Sequence, residues 1–266
     1  MSAANHNDIA LRCVDVAVQF GALRALDGVT YDFRRGGLYG LIGPNGAGKT
    51  TLLNALSGRL ARCTGRIECG GRDITRLAPH ERARHGIGRS FQITKIFPDM
   101  TVLENLRVAA QVSLGRRMLP WPSAAYDRRM ADAIDAMLAL TGLARHRDAE
   151  AGTLSYGLQR ALELGVTLMP NPSILLLDEP LAGVGHHEIE GAAALIRTAS
   201  KGRTVLLIEH NMDVVMDLSE RVVVMAAGKV IADGAPSAIK DNPLVRTVYL
   251  GEEDEADQAA HEGVAA

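Results

Sequence analysis

The sequence contains little of what characterises a secreted, disulfide-bonded or membrane-spanning chain. It has three cysteines in 266 residues, Cys13, Cys63 and Cys69, at spacings that match neither a disulfide framework nor a zinc site. No run of about 18 apolar residues occurs, and stretches such as 205–208 have the length of a buried strand. Residues 1–11 hold no basic stretch followed by an apolar one, so no secretory signal is expected. These absences predict a protein of the reducing cytosol that could associate with a membrane only peripherally, at the membrane surface.

A strong charge of one sign is also missing. The chain has 29 Lys and Arg against 31 Asp and Glu, a net charge of -2, so no overall positive field attracts nucleic acid, and no nucleic-acid partner is expected. Aromatic residues are only 4% of the composition, but hydrophobic residues are 47%, enough for the core of a sizeable α/β domain. The one biased segment is acidic, 252–255, and we expect the tail 252–266 to be poorly ordered.

Strand-like and helix-like patterns alternate along the chain, which favours an α/β fold with a mostly parallel sheet. Residues 9–33 are β-rich, and apolar repeats from 102 to 169 indicate helices interrupted at 115–123 and at Gly142. Further short strands are predicted at 38–42, 173–177, 204–208, 221–225 and 230–232, with helices near 188–199 and 211–218.

A glycine-rich turn follows the strand at 38–42 and has the P-loop spacing of two glycines around four residues and then Lys and Thr. Glycines let successive backbone N–H groups and a helix N-terminus face phosphates, while Lys49 would reach the β and γ oxygens and Thr50 would bind Mg²⁺. The sequence therefore predicts a nucleoside triphosphate and Mg²⁺ site at Gly43, Pro44, Asn45, Gly46, Ala47, Gly48, Lys49, Thr50 and Thr51, a pattern that by itself leaves kinases, helicases and GTPases open.

Two carboxylates end the apolar run 174–177. An uninterrupted apolar strand is typical of a sheet covered on both faces, and ligands of such sheets bind at the carboxyl ends of the strands. We assign Asp178 to the Mg²⁺ shell and Glu179 to the general base that polarises the attacking water.

The segment Leu154–Ser155–Tyr156–Gly157–Leu158–Gln159–Arg160 resembles the signature motif of ATP-binding-cassette (ABC) ATPases. That resemblance covers about residues 9–251 and implies the P-loop NTPase fold of ABC ATPases, in which a mostly parallel core sheet carries an antiparallel β subdomain and an inserted helical subdomain. It implies one ATPase domain over 1–251, with a nucleotide-binding core at about 9–92 and 172–251 and a helical signature subdomain at about 93–171.

The resemblance also implies roles for single residues. Phe20 would stack on adenine, Gln92 would touch Mg²⁺ or the attacking water, and His210 would contact the γ-phosphate. Ser155 and Gly157 would open a helix whose positive end meets the γ-phosphate held by a second ATPase subunit. ATP would thus join two cassettes, and its hydrolysis would release them.

The partners implied by the resemblance are a second ABC ATPase subunit, two transmembrane permease subunits and an extracytoplasmic substrate-binding protein, with this chain peripheral on the cytoplasmic face of the plasma membrane. Segments 96–97 and 100–105 would dock a cytoplasmic helix of the permease. Several stretches are similar to the larger ATPase of branched-chain amino-acid importers: 90–92, 101–106, the Tyr156 variant of the signature, the 115–126 segment, 207–212 and 248–252.

The sequence departs from the family pattern at two places. Leu158 stands where the signature usually has Gln, and Gly185–His186 stands where the following loop usually has Asp or Asn and then Pro. These departures leave open a slow-hydrolysing regulatory subunit. A transporter for urea or amides, aromatic acids or lipopolysaccharide also stays open, because the binding protein and permease choose the cargo. The third alternative is a soluble ABC ATPase acting on DNA or ribosomes. The last generally carries two cassettes or long coiled insertions, and neither is present here.

Overall fold

The computed structural model describes residues 8–60, 62–90, 96–113 and 124–248, and it divides into two compact units. The first unit comprises Met1–Arg82 and Thr204–Ala266, and the second comprises Ala83–Arg203. Several positions named above lie outside the described residues: Gln92, most of the 115–126 segment, the ending after 248 and the acidic tail.

The first unit contains eight of the strands found in the described ranges. Its first chain segment contains five of these strands and two helices. In chain order they are β1 (Ile9–Phe20), β2 (Leu23–Arg34), β3 (Leu38–Ile42), α1 (Lys49–Leu56), β4 (Thr64–Cys69), β5 (Arg72–Asp73) and α2 (Pro79–Arg84). Helix α2 runs across the boundary between the two units. The second unit follows with β6 (Ile87–Arg89), α3 (Val102–Ser113), α4 (Ala124–Thr141), α5 (Tyr156–Leu168), β7 (Ile174–Asp178) and α6 (Ile189–Ser200). The chain then returns to the first unit with β8 (Thr204–Ile208), α7 (Met212–Leu218), β9 (Arg221–Ala226), β10 (Lys229–Gly234) and α8 (Pro236–Lys240).

An antiparallel sheet of order β2-β1-β4-β5 forms one layer of the first unit. Alternate residues of β1 and β2 turn one apolar face inward, including Val16, Val18 and Leu26, which are at most 2% exposed. Cys13 lies on this buried face, and burial raises the pKa of its thiol to about 12. Cys13 therefore serves as a small apolar core residue rather than as a reactive thiol.

Parallel strands form the other layer of the first unit. Strand β3 pairs in parallel with both β8 and β9, while β10 is antiparallel to β9. Every residue of β3 and β8 is buried, as their continuous apolar sequences predict for strands covered on both faces. Helices α7 and α8 supply part of that cover, since Val215 and Ile239 pack with Ile42 and Val224 in one cluster.

The second unit combines a parallel strand pair with a helical core. Strands β6 and β7 pair in parallel, with Arg89 opposite Leu176. Helices α3, α4 and α5 share an apolar cluster that includes Leu106, Ile134, Leu138 and Leu162, each at most 3% exposed. The predicted helices therefore form because their 3.6-residue apolar stripes meet in a common core.

The predicted fold class is confirmed: core strands that pair mostly in parallel, an antiparallel β layer and a helical insertion are all present. The predicted strands at 38–42, 204–208 and 221–225 agree with the structure to within one residue, whereas β4, β5 and β6 were not predicted individually. Within the ranges that the structure describes, no helix is both long enough and apolar enough to span a membrane.

Candidate ATP-binding and hydrolysis site

The P-loop joins the end of β3 to the start of α1 through a turn that depends on glycine. Gly43, Gly46 and Gly48 all have positive φ, of 147°, 77° and 99°. Gly48 is the N-cap of α1 and has no side chain to cap it, so the first N–H groups of the helix remain directed at the loop. This is the arrangement of backbone donors that a phosphate group needs.

The loop is braced from outside by the turn between β9 and β10. Ala227 and Gly228 both have positive φ, as a two-residue hairpin turn of this kind requires. The Gly228 N–H donates to the Ala47 carbonyl at 3.1 Å, and the Gly228 carbonyl accepts from the Asp27 N–H of β2 at 2.9 Å. Main-chain hydrogen bonds therefore tie the P-loop to two strands of the first unit.

Lys49 is the charged residue of this loop and is only 9% exposed. Its ammonium group donates to the carbonyl oxygens of Gly43 and Pro44, the latter at 2.8 Å. The lysine side chain is thus folded back over the turn, and its positive charge is held against the carbonyl oxygens of the loop. The loop combines a fixed cation with oriented dipoles, the two features that bind a triphosphate.

Replacing Gly48 with alanine should destabilise the protein by about 2–4 kcal/mol, because the backbone strain of a side chain at positive φ adds to a steric clash of its Cβ. The new Cβ would approach the Ala25 carbonyl oxygen to 2.5 Å, and backbone at that point has little room to move. Urea unfolding of the full-length chain without nucleotide measures the loss. Gly46→Ala is the matched control: its φ is also positive but its Cβ would meet nothing within 4 Å, so we expect only about 1 kcal/mol. Equal losses for the two variants would contradict the clash.

His210 and the P-loop leave the same edge of the first unit. Strands β3 and β8 are parallel neighbours, so their carboxyl ends lie side by side; the P-loop follows β3, and Glu209 and His210 follow β8. His210 is exposed, and Asn211 caps α7 by accepting from the Val214 N–H at 3.2 Å. Phe20, also in this unit, is 52% exposed at the end of β1.

Asp178 and Glu179 end strand β7 in the second unit, but their environments differ. Asp178 is 2% exposed, whereas Glu179 is half-buried and has a φ of 50°, a left-handed conformation that is uncommon for a residue with a side chain. The strand thus turns sharply between the two carboxylates, and the Ala182 N–H closes that turn by donating to the Glu179 carbonyl at 3.1 Å. The two carboxylates therefore differ in burial, with Asp178 inside the unit and Glu179 partly accessible.

Sequence reasoning did not identify the partner of Asp178. Arg89, the last residue of β6, places its Nη2 3.1 Å from Asp178 Oδ2, and both side chains are buried. The next residue, Ser90, accepts from the Asp178 N–H through its Oγ at 3.4 Å. No local pattern indicates this contact, because the two residues are 89 positions apart and meet only through strand pairing.

The signature segment opens helix α5 as the sequence predicts. Ser155 is the N-cap, and its hydroxyl accepts from the Leu158 N–H at 3.5 Å. Leu158 packs against the apolar cluster of the helical core, which gives a structural reason for the leucine at this position. The buried pair Arg160 and Glu163 follows at 2.8 Å, one turn further along the same helix.

The loop after Glu179 contacts this signature helix. A Cβ on Gly183 would come within 2.8 Å of the Tyr156 ring, and one on Gly157 would come within 2.7 Å of a Glu188 carboxylate oxygen. Gly183 is required, because its φ of 77° is also positive, whereas the Glu188 side chain that faces Gly157 could move aside. Gly185 has a φ of -62°, which suits any residue, and a Cβ there would meet the side chains of His187, at 2.9 Å, and Glu188, at 3.7 Å.

An exposed apolar surface precedes helix α3 in the second unit. Phe97 is 52% exposed and Met100 is 37% exposed. Buried Asn105 holds this segment by donating to the Phe97 and Thr101 carbonyls, both at 3.0 Å, and by accepting from the Phe97 N–H at 2.8 Å. Two large apolar side chains on a braced segment are typical of an interaction surface.

The predicted metal ligands in the described residues offer the chemistry that Mg²⁺ prefers. The Thr50 hydroxyl lies in the first turn of α1, and Asp178 offers a carboxylate at a strand end. Within the described ranges no three His, Cys, Asp or Glu side chains form a metal cage. Mg²⁺ does not need one, because it takes one or two protein oxygens and completes its shell with water and phosphate. The P-loop and His210 belong to the first unit, and the acidic pair and the signature helix belong to the second.

The chain matches two protein-family models. The model described as ABC transporter covers residues 26–182, and the model described as branched-chain amino acid ATP-binding cassette transporter covers residues 229–255. One curated relative, the high-affinity branched-chain amino acid transport ATP-binding protein BraF of Pseudomonas aeruginosa, is 40% identical over 244 residues, which is 89% of this chain and 96% of that protein. Another, the probable branched-chain amino acid transport ATP-binding protein LivG of Archaeoglobus fulgidus, is 36% identical over 88% of this chain and 93% of its own length.

Solved structures agree with these sequence matches. A nucleotide-free ATP-binding cassette from an ABC transporter superposes with a TM-score of 0.78 at 31% identity, covering 91% of this chain and 98% of that one. The ADP conformation of an ATP-binding cassette gives a TM-score of 0.77 at 32% identity over 91% and 99% of the two chains.

Proposed function

Because this chain belongs to the ABC transporter family, we propose that it is the ATP-binding and ATP-hydrolysing subunit of an importer for branched-chain or related amino acids. The observation that carries the proposal is the P-loop itself. Its glycine turn gives α1 an N-cap without a side chain, and the Lys49 ammonium is held against the carbonyl oxygens of the same turn. This combination of donors and charge suits the β and γ phosphates of ATP.

The remaining site residues take the roles that the chemistry of hydrolysis needs. Thr50 and Asp178 would bind Mg²⁺, which supplies charge that offsets the phosphates when it is bound. Glu179 would accept the proton of the attacking water, and His210 would orient that water and the γ-phosphate. Phe20, exposed at its strand end, is free of neighbours on one side and would stack on adenine.

We propose that two cassettes close around ATP. Ser155 and Gly157 begin a helix of 13 residues, whose N-terminus would face the γ-phosphate of a second ATPase subunit. The exposed Phe97 and Met100 would contact a cytoplasmic helix of one of two permease subunits, and an extracytoplasmic binding protein would deliver the cargo. The chain would then lie on the cytoplasmic face of the membrane.

The amino-acid cargo is proposed from the family match at 229–255 and from the functions for which the curated relatives are named. Co-purification in mild detergent tests it: we expect two permease proteins and a second ATPase, and a companion binding protein that binds leucine, isoleucine or valine. A binding protein with no affinity for these amino acids would contradict the proposed cargo. Recovery of a different transporter would do the same and would favour the urea, aromatic-acid or lipopolysaccharide type.

The two departures from the family pattern favour a second candidate, a complex in which one composite ATP site is slow. Restoring Gln at 158 and Asp at 185 should raise the ATPase rate of the reconstituted complex by several-fold, because both positions belong to the half-site offered to the other subunit. Steady-state phosphate release measures this rate. The change at 185 is compatible with the backbone there, whereas the change at 158 removes an apolar contact, so Leu158→Met serves as the control for packing. An unchanged rate in the double variant would argue that both departures are neutral.

A further inference from the structure

The buried ion pair between Arg89 and Asp178 links a permanent cation to the predicted metal ligand. Arg89 Nη2 lies 3.1 Å from Asp178 Oδ2, and the side chains are 8% and 2% exposed. Such pairs are uncommon, because removing two charges from water is costly and only good geometry compensates the loss. Arginine also stays protonated at any ordinary pH, so the cation is always present.

The same short segment also holds the main chain of Asp178. Strand β6 pairs with β7 up to Arg89 and Leu176, and the Ser90 N–H continues the ladder by donating to the Leu176 carbonyl at 3.0 Å. The Asp178 N–H in turn donates to Ser90 Oγ. Arg89 and Ser90 therefore fix both the backbone and the carboxylate of the residue that would bind the metal.

From this geometry we propose that Arg89 is a positioning residue that holds Asp178 in place and lowers the affinity of the site for Mg²⁺, a loss that the charge of a bound nucleotide offsets. This inference rests on the proposed ATPase function. Near Asp178 the guanidinium and a divalent cation would repel each other, and the repulsion is large in a buried site. The added charge of the nucleotide phosphates would then offset that repulsion.

The proposal predicts that neutralising Arg89 tightens Mg²⁺ binding. Mg²⁺ would be titrated into the full-length chain saturated with a fluorescent ADP analogue, and the fluorescence midpoint would be compared between variants. In Arg89→Gln we expect that midpoint to fall roughly tenfold, because the competing charge is gone. Arg89→Lys keeps a positive charge and should stay near the wild-type midpoint.

A matched control separates this effect from a loss of structure. Arg160 and Glu163 form another buried pair in the same unit, at 2.8 Å, so Arg160→Gln should lower the unfolding temperature without moving the Mg²⁺ midpoint. Arg89→Gln should also unfold at a lower temperature in EDTA, but Mg²⁺ with ADP should restore its stability more than that of the wild type. An Arg89→Gln midpoint at or above the wild-type value, or a variant that Mg²⁺ and ADP do not restore, would overturn the proposal.

The design also separates two kinds of failure. If the wild-type chain binds neither the ADP analogue nor Mg²⁺ in its presence, the proposed ATPase function is wrong. If the wild type binds normally and the Arg89→Gln midpoint does not move, the ATPase function stands and only the role of Arg89 is wrong.

Discussion

Replacing Lys49 with alanine should weaken Mg·ATP binding by roughly 100-fold, because hydrogen bonds to charged groups each contribute about 1.5–3 kcal/mol. In the structure the ammonium already lies against the P-loop carbonyls of Gly43 and Pro44, so it is held beside the phosphate-binding backbone. Equilibrium binding of a fluorescent ATP analogue measures the loss. We expect Lys49→Arg to bind weakly as well, since a planar guanidinium does not reproduce a compact ammonium.

Lys240→Ala is the control for this prediction. Lys240 is an exposed lysine at the end of α8 in the same unit, so its removal changes the net charge equally but leaves the P-loop intact. Without nucleotide, the unfolding temperatures of Lys49→Ala, Lys49→Arg and Lys240→Ala should all lie near that of the wild type. Undiminished ATP binding by the Lys49→Ala protein would refute the assignment of the P-loop as the nucleotide site.

Replacing Glu179 with glutamine should reduce steady-state ATP hydrolysis by about 10²–10⁴-fold while ATP binding persists, because an amide cannot accept the proton of the attacking water. Glutamine has nearly the same shape and the same tolerance for the φ of 50° that the backbone imposes, so the change isolates the charge of the side chain. Phosphate release from the reconstituted complex measures the rate, and light scattering measures whether ATP now keeps two cassettes together.

Glu190→Gln is the control for the second prediction. Glu190 is an exposed carboxylate in the first turn of α6, in the same unit as Glu179, and its neutralisation should leave the rate unchanged. Hydrolysis abolished by Glu179→Gln would exclude a regulatory subunit that binds ATP without turning it over. A rate equal to that of the wild type would instead require a different base.

The sequence was most informative where one local pattern determines one local structure. The glycines of the P-loop, the apolar run before Asp178 and the serine before the signature helix each specify a backbone conformation within a few residues. These predictions therefore agreed with the strand ends, the turn and the helix start that the structure has.

Other features could not be predicted from the sequence, because they depend on contacts between residues far apart in the chain. Strand β6 has three residues and too few alternations to be recognised, yet it brings Arg89 to Asp178. The left-handed turn at Glu179 also has no sequence signal, since glutamate rarely adopts it and tertiary contacts must enforce it. The roles of Phe20, Gln92 and His210 remain predictions that rest on the family pattern.

The brace beneath the P-loop has a consequence for how this sequence can diverge. Gly228, in the turn at 227–228, forms main-chain hydrogen bonds with Ala47 and Asp27, and these bonds do not involve any side chain. Relatives can therefore change side chains around this turn without altering its two main-chain hydrogen bonds, whereas Lys229 at the start of β10 also pairs with the Asp27 carboxylate at 3.0 Å and is not replaceable in the same way. Gly228 itself cannot be replaced, because its φ is positive and a Cβ there would lie 2.9 Å from the Ala25 carbonyl oxygen.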